Sequence, residues 1–165
     1  MSANERVCCT VFGSFHKFKR DIDKAVICFQ RIGVEVLAPE VGILYSSPSL
    51  RKRAESISSF LPLKSERSMS PKEVEDEFLS CIRRSDFVYL VNKGGYVGTS
   101  AAMELGFALA LGKPVYSNEP IKKNLDSDRM WLDRSEIPIV LPPELAWLDF
   151  RNRMPEIRLI ALLSK

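Results

Sequence analysis

Histidine occurs once in these 165 residues, as His16, and the four cysteines form no CxxC pair and no Cys/His spacing. No zinc site is therefore expected. Cys8 and Cys9 sit side by side in an apolar run, while Cys28 and Cys81 fall on the apolar stripes of predicted helices. All four read as buried, reduced thiols of a cytoplasmic protein. Apolar runs such as Phe107–Leu111 stop far short of a membrane span. The first six residues, Met1 to Arg6, are polar and read as no secretory leader. Neither sign of charge dominates: 24 basic residues face 21 acidic ones, for a net +3. That balance is too mild to call for nucleic acid or an acidic membrane as partner. Neither GxGxxG nor GxxxxGK[ST] occurs, and no cofactor is expected.

What is present is an alternation of short β-rich runs and helical stripes. Val7 to Phe12 reads as a buried strand that ends at Gly13-Ser14. Ile22, Ala25, Val26, Phe29 and Ile32 form a helical stripe that Gly33 stops, and Val34 to Leu37 reads as a second strand closed by Pro39. Strand, helix and strand at this spacing predict a βαβ unit and hence a parallel sheet. Ser70-Pro71-Lys72-Glu73 is a helix start with a capping box and a proline at the first helical position. Val74, Phe78, Cys81 and Ile82 are the buried stripe of that helix, and Phe87 to Val91 is a central strand. A third helix is predicted from about Ser100 to Leu111, ended by Gly112-Lys113-Pro114, and Val115-Tyr116 belongs to a fourth strand. Ile137 to Val140 reads as a fifth, edge strand, because proline is tolerated there. Pro155 to Leu163 reads as a terminal helix with Ile157, Ile160, Ala161 and Leu163 inward.

The predicted fold is α/β: one domain over 1–165 with an open, doubly wound parallel sheet of about five strands, flavodoxin- or Rossmann-like, with helices on both faces. The serine-rich stretch 39–70, with the basic cluster Arg51-Lys52-Arg53 and no sustained period, is expected to be a mobile flap.

In such sheets ligands bind beyond the C-terminal strand ends. Two glycine turns are predicted there, Gly13-Ser14-Phe15-His16 and Gly94-Gly95-Tyr96-Val97-Gly98-Thr99-Ser100. Each opens a helix, where glycine permits close backbone approach and free amides favour anionic or hydroxyl-rich groups. Tight turns with no ligand would have the same composition. Glu104 stands alone among Ala101, Met103, Leu105, Gly106, Phe107 and Ala108, all suited to burial. A glutamate favoured only by the helix dipole would share its face with other polar residues, and this helix has almost none. Two roles are open to a carboxylate pointing into the cleft: nucleophile, or clamp on ligand hydroxyls.

Val88-Tyr89-Leu90-Val91-Asn92, Gly94 to Ser100, Met103-Glu104-Leu105-Gly106-Phe107-Ala108 and Gly112-Lys113-Pro114-Val115-Tyr116 together resemble the nucleoside 2-deoxyribosyltransferase family, which includes the 2'-deoxynucleoside 5'-monophosphate N-hydrolases. Gly13-Ser14-Phe15 looks like the first turn of the hydrolase branch. The resemblance covers about Val7 to Leu37 and Asp86 to Tyr116, under half the chain. It implies cleavage or transfer at the N-glycosidic bond of a nucleoside or its 5'-monophosphate, with Glu104 as the nucleophile. It further implies that Gly13, Ser14, His16, Gly95, Gly98, Thr99 and Ser100 hold sugar or phosphate, that Phe15 and Tyr96 flank base or sugar, and that the chain is a homo-oligomer. The apolar stretch Leu159 to Leu163 would suit such contacts.

Three positions depart from the family's pattern. Gly98 stands where the family has Asp or Ser, His16 where the hydrolase branch has Arg, and Phe78, beside Asp76 and Glu77, where the family has an Asp. Lys17, Lys19 and Arg20 are candidate phosphate partners near the first turn. A nucleotide- or nucleotide-sugar-binding sensor on the same scaffold remains open. So do an interaction module with a vestigial cleft and, from the Gly-Gly-Tyr-Val-Gly-Thr run, a phosphoribohydrolase of the cytokinin-activating type.

Overall fold

The computed structural model describes residues 6–40, 69–122 and 138–163, with side chains described as far as residue 155. Five parallel strands form one sheet: β1 (Cys8–Gly13), β2 (Glu35–Ala38), β3 (Phe87–Val91), β4 (Val115–Ser117) and β5 (Ile139–Val140). The helices are α1 (Phe15–Arg31), α2 (Pro71–Arg84), α3 (Thr99–Ala110) and α4 (Pro143–Leu163), and a 3-10 turn, Lys93–Gly95, lies between β3 and α3. The spatial order is β2-β1-β3-β4-β5. The chain winds outward from β1 to β2, then returns to the far side of β1 as β3. The order reverses between β1 and β3, and in sheets of this kind the crevice that takes a ligand lies outside the C-terminal strand ends at such a point.

Residue pattern explains this order. β3 is buried at every position and β1 nearly so, as strands covered on both faces must be, whereas β2 and β5 are partly exposed and lie at the edges. Phe29 of α1 packs edge-on against Phe87 and Tyr89, and Phe150 of α4 meets Phe87. Alternation then turns Val88 and Leu90 to the opposite face, the side of α2 and α3, which pack on each other and on β1. Phe78, Cys81 and Ile82 of α2 and Ala101, Leu105 and Ala108 of α3 complete that second layer.

Expectation and structure part at the C-terminus. The terminal helix begins at Pro143 and not at Pro155, which lies within it. Pro142-Pro143-Glu144 supplies a proline for the first turn and an acid for the positive end of the dipole. Ala146 and Phe150 then anchor the helix in the core, and this burial outweighs the hydrogen bond lost at Pro155. β2 is shifted one residue toward the C-terminus of its predicted span, and of the predicted fifth strand only Ile139–Val140 pairs. The predicted flap falls almost wholly on 41–68, outside the described residues, as do the side chains of Ile157, Ile160, Ala161 and Leu159 to Leu163. All four cysteines are free thiols. Among the described residues no helix is long and apolar enough to cross a membrane.

Candidate functional site

β1 and β3 end in register, Gly13 beside Val91. Gly13 has φ +155°, and a Cβ there would lie 2.3 Å from the Val91 carbonyl oxygen. Only glycine lets the two strand ends close together under the crevice.

The loop after β3 is fixed by Asn92, whose side chain is fully buried. Its amide group donates to the Glu119 carbonyl at 2.7 Å and accepts from the Glu119 N–H at 3.2 Å, and the Asn92 N–H donates to Asn118 Oδ1 at 2.7 Å. The Lys122 N–H donates to the Gly95 carbonyl. Gly95, with φ +75°, lies under residues 120–122, where a Cβ would stand 2.7 Å from the Pro120 carbonyl. Chain packing by itself therefore requires glycine at this position.

Phe15 departs from the sequence reading in its burial. It is 5% exposed and meets Phe78 edge-on, so it belongs to the core rather than flanking a ligand. Phe78 fills the position where the resembled family has an acid. Tyr96 is half-buried beside Phe18, with Lys17 Nζ 3.6 Å above its ring, which ties the start of α1 to the glycine loop. Lys19 is buried and paired with Asp23, so that cation is engaged within α1. His16 and Arg20 are exposed.

The two helix starts at the crevice differ from the third. Ser70 caps α2 in a complete capping box, an arrangement that stabilises a helix by about 1 kcal/mol. Ser14 at the start of α1 and Gly98 at the start of α3 provide no side-chain cap. Thr99 and Ser100 are exposed in the first turn of α3, and Ser14 is half-buried. Free helix amides from two elements are thus available to a ligand at the strand ends.

Glu104 follows one turn later on α3. It is 5% exposed, and its Oε2 is buried with no hydrogen-bond partner. Burial, and then the nearby charge of Glu75, push its carboxyl well above the usual carboxylate range. Glu75, on α2, is the residue the sequence reading passed over. It is half-buried, its Oε1 is buried and unpartnered, and burial followed by the Asp76 charge raises its carboxyl as well. A signal was present: Glu75, Phe78 and Ile82 recur at helical spacing along the buried stripe. The acidic run Glu73-Val74-Glu75-Asp76-Glu77 disguised it as a solvated face.

A cavity of about 350 Å³ opens on the other side of the sheet, between α1 and the start of α4, and includes none of the predicted site residues. Its polar groups satisfy one another. Cys28 Sγ donates to Glu144 Oε1 at 2.9 Å, Lys24 and Lys93 each stand 3.8 Å from Asp21, and Tyr89 donates to the Leu141 carbonyl at 3.0 Å. Glu104 Oε2, in contrast, has no hydrogen-bond partner.

The burial of Glu104 has a stability consequence. Its folded form holds the proton more tightly than the unfolded chain, so its favourable contribution is complete below the ordinary glutamate range. That contribution is lost as pH rises toward the folded value. Glu104→Gln is expected to melt above wild type at pH 8, with the difference shrinking toward pH 4.5. Each pH unit between the two values adds up to about 1.4 kcal/mol, or roughly 3–6 °C in a chain of this size. Thermal melts across pH 4.5–8 check this, and a constant difference would contradict it.

No family model matches the chain, and no curated protein matches it in sequence. One similar solved structure is the CMP N-glycosidase BcmB of Clostridium botulinum, with 16% identity and a TM-score of 0.44 over 88% of this chain and 97% of that one. Another is a 2-desoxiribosyltransferase from Leishmania mexicana, with 12% identity and a TM-score of 0.37 over 69% of this chain and 66% of that one. At such low identity, the chemistry of this chain rests on its own site.

Proposed function

We propose that this chain cleaves or transfers the N-glycosidic bond of a nucleoside or nucleoside 5'-monophosphate, with Glu104 as the nucleophile. The observation that carries the reading is the buried, unpartnered carboxylate of Glu104 beside the uncapped start of α3, at the reversal point of the sheet. A carboxylate kept without a partner is costly to the fold, and such groups concentrate at functional sites. Once substrate fills the crevice, the carboxylate faces the anomeric carbon. Glu104 Oε attacks that carbon, and the bonding pair of the C–N bond leaves with the base through an oxocarbenium-like transition state. Water, or the nitrogen of a second base, then displaces Glu104 from the sugar. The motifs from Val88 to Tyr116 support the same chemistry.

A ligand phosphate would meet the amides at the start of α1, with Ser14, His16 and Arg20 as the side chains on hand. The neutral form of Glu104 favours a second reading, a sensor in which the protonated carboxyl donates to a sugar hydroxyl. The two separate in one experiment. The purified protein is incubated with deoxyribo- and ribonucleosides and their 5'-monophosphates, with and without a second free base, and base release and exchange are followed. Release or exchange supports the enzyme. Saturable binding of the same ligands with no base released supports the sensor. Release confined to ribonucleoside monophosphates would point to the phosphoribohydrolase alternative.

A further inference from the structure

Among the described residues, the buried side-chain polar atoms with no partner are Glu40 Oε2, Glu75 Oε1 and Glu104 Oε2. All three are carboxylate oxygens, and all three residues lie toward one end of the sheet. Glu40 follows the C-terminal end of β2, and Glu104 is one turn inside α3. Glu75 stands near the start of α2, which runs back toward the start of β3 and so begins at the same rim. Glu104 is the deepest of the three, 5% exposed. α2 packs on α3, and Glu75 is near enough for its charge to act on Glu104. A buried carboxylate with neither donor nor cation is costly, and three such oxygens at one rim repeat that cost with a single sign. Positive charge brought by a ligand would offset all three.

Among the described residues the chain supplies no such charge itself. α3 carries no other ionisable side chain. On α2, Lys72 pairs with Asp76, Arg84 pairs with Glu77, Glu73 closes the capping box and Arg83 lies over the Phe107 ring. On β1, Cys8 and Cys9 are thiols held neutral, chiefly by burial. Tyr89 of β3 donates to the Leu141 carbonyl, and Tyr116 of β4 donates to Asp149. Beyond these elements, Lys17 lies over the Tyr96 ring, Lys19 pairs with Asp23, Lys93 with Asp21, and Lys113 donates to the Ser85 carbonyl. His16 and Arg20 are exposed. No three of the described side chains converge as ligands for a metal ion. Carboxylates that stand apart in this way suit a positive charge spread over a ring better than a point charge.

We infer that the substrate of this site is a nucleoside whose base carries a delocalised positive charge, of the pyridinium or N7-alkylated purine kind, with Glu40, Glu75 and Glu104 as its counter-charge. The inference rests on the reading of Glu104 given under Proposed function and names the class of base which that reading leaves open. The chemistry follows from the charge. As the cation enters, it draws the Glu104 carboxyl toward its anionic form, which is the form that attacks. A lone pair of Glu104 Oε forms the bond to the anomeric carbon while the C–N bond breaks, and the C–N electron pair neutralises the ring. The base leaves as a neutral molecule and takes up no proton, so its departure needs no acid. Water then bonds to the anomeric carbon, the Glu104 carboxylate departs with its electron pair, and one proton of the water passes to solvent.

The test separates recognition of charge from turnover. 1-Methylnicotinamide carries the ring charge and has no glycosidic bond, and 3-methylbenzamide has the same shape without the charge. Calorimetric titration of the full chain with each is expected to show the cation bound more tightly by about tenfold or more. The affinity for the cation rises between about pH 5 and pH 8 with release of a proton on binding, because the ligand competes with protons held on the buried carboxyls. The affinity for the neutral ring stays flat. Glu75→Gln and Glu40→Gln each reduce the preference, and Glu77→Gln on the same helix as Glu75 leaves it unchanged. In turnover, 7-methylguanosine is expected to exceed guanosine in kcat/KM by about tenfold or more after each is divided by its uncatalysed rate. Equal affinity for the two rings, no binding of the cation, or a preference unchanged in folded Glu75→Gln and Glu40→Gln proteins overturns the inference. Turnover of guanosine that matches or exceeds 7-methylguanosine on the same scale also overturns it, while the proposed function stands. A protein that binds the cation with this pH dependence and releases no base from any nucleoside overturns the proposed function instead, and the recognition of charge stands.

Discussion

Glu104→Gln is expected to lower base release by about 10³-fold or more while leaving a folded protein. The substitution keeps the shape of the side chain and removes the anion. A nucleophile lost from a covalent mechanism takes the whole first step with it, because an amide oxygen attacks an anomeric carbon poorly and leaves poorly from the adduct. A carboxylate that only clamped a hydroxyl would behave otherwise. Gln still offers a donor and an acceptor, so binding would weaken modestly and no step would be abolished. The measurement is steady-state release of free base by wild type and variant under saturating substrate. A variant with more than about a tenth of wild-type kcat contradicts the nucleophile. The same variant is expected to be more stable than wild type at pH 8. Lost activity with gained stability is the signature of a residue kept for chemistry at the expense of the fold.

Gly13→Ala is expected to cost several kcal/mol, the larger of the two stability effects. The added Cβ meets the Val91 carbonyl oxygen at 2.3 Å, well inside contact distance, and the partner is backbone that cannot rotate away. A positive φ of 155° adds strain for any residue with a Cβ. Relief requires the end of β1 to move off β3, which breaks the register at Gly13 and Val91 and displaces Ser14 from the start of α1. A loss of about 3 kcal/mol or more corresponds to a melting temperature lower by roughly 6–12 °C. Activity should fall as well, since the crevice floor is the part that moves. Differential scanning calorimetry of the variant checks this, and a melting temperature within 2 °C of wild type (roughly the shift that 1 kcal/mol produces) would show that the strand ends are not packed as described.

Much of this architecture is legible in the sequence because its signals are local. The capping box at Ser70, the apolar stripe from Ile22 to Phe29 and the uninterrupted apolar run Phe87–Val91 each specify an element from neighbouring residues alone. The site is legible at Glu104 for the same reason: one charge within an apolar helix stands out at any distance from its partners. What the sequence leaves open has a different cause. Gly95 and Gly13 are both glycines at turns, and only the contacts with Pro120 and Val91 show what each glycine makes room for. Phe15 beside a glycine turn suits a ligand face or a core, and its contact with Phe78 decides for the core. Glu75 differs from Asp76 and Glu77 only in where α2 packs, which depends on α3 more than twenty positions downstream. Pro155 reads as a helix start by local rules, and tertiary packing of Phe150 carries the helix through it.

The most direct test of the central claim is a rapid-quench experiment with a deoxynucleoside or monophosphate that the protein turns over. Intact mass and peptide mapping follow after acid quench in the first turnovers. A covalent glycosyl adduct on the peptide that contains Glu104, formed at the rate of the first base released and absent in Glu104→Gln, is the predicted result. Base release with no adduct in wild type, or an adduct on another residue, would contradict it.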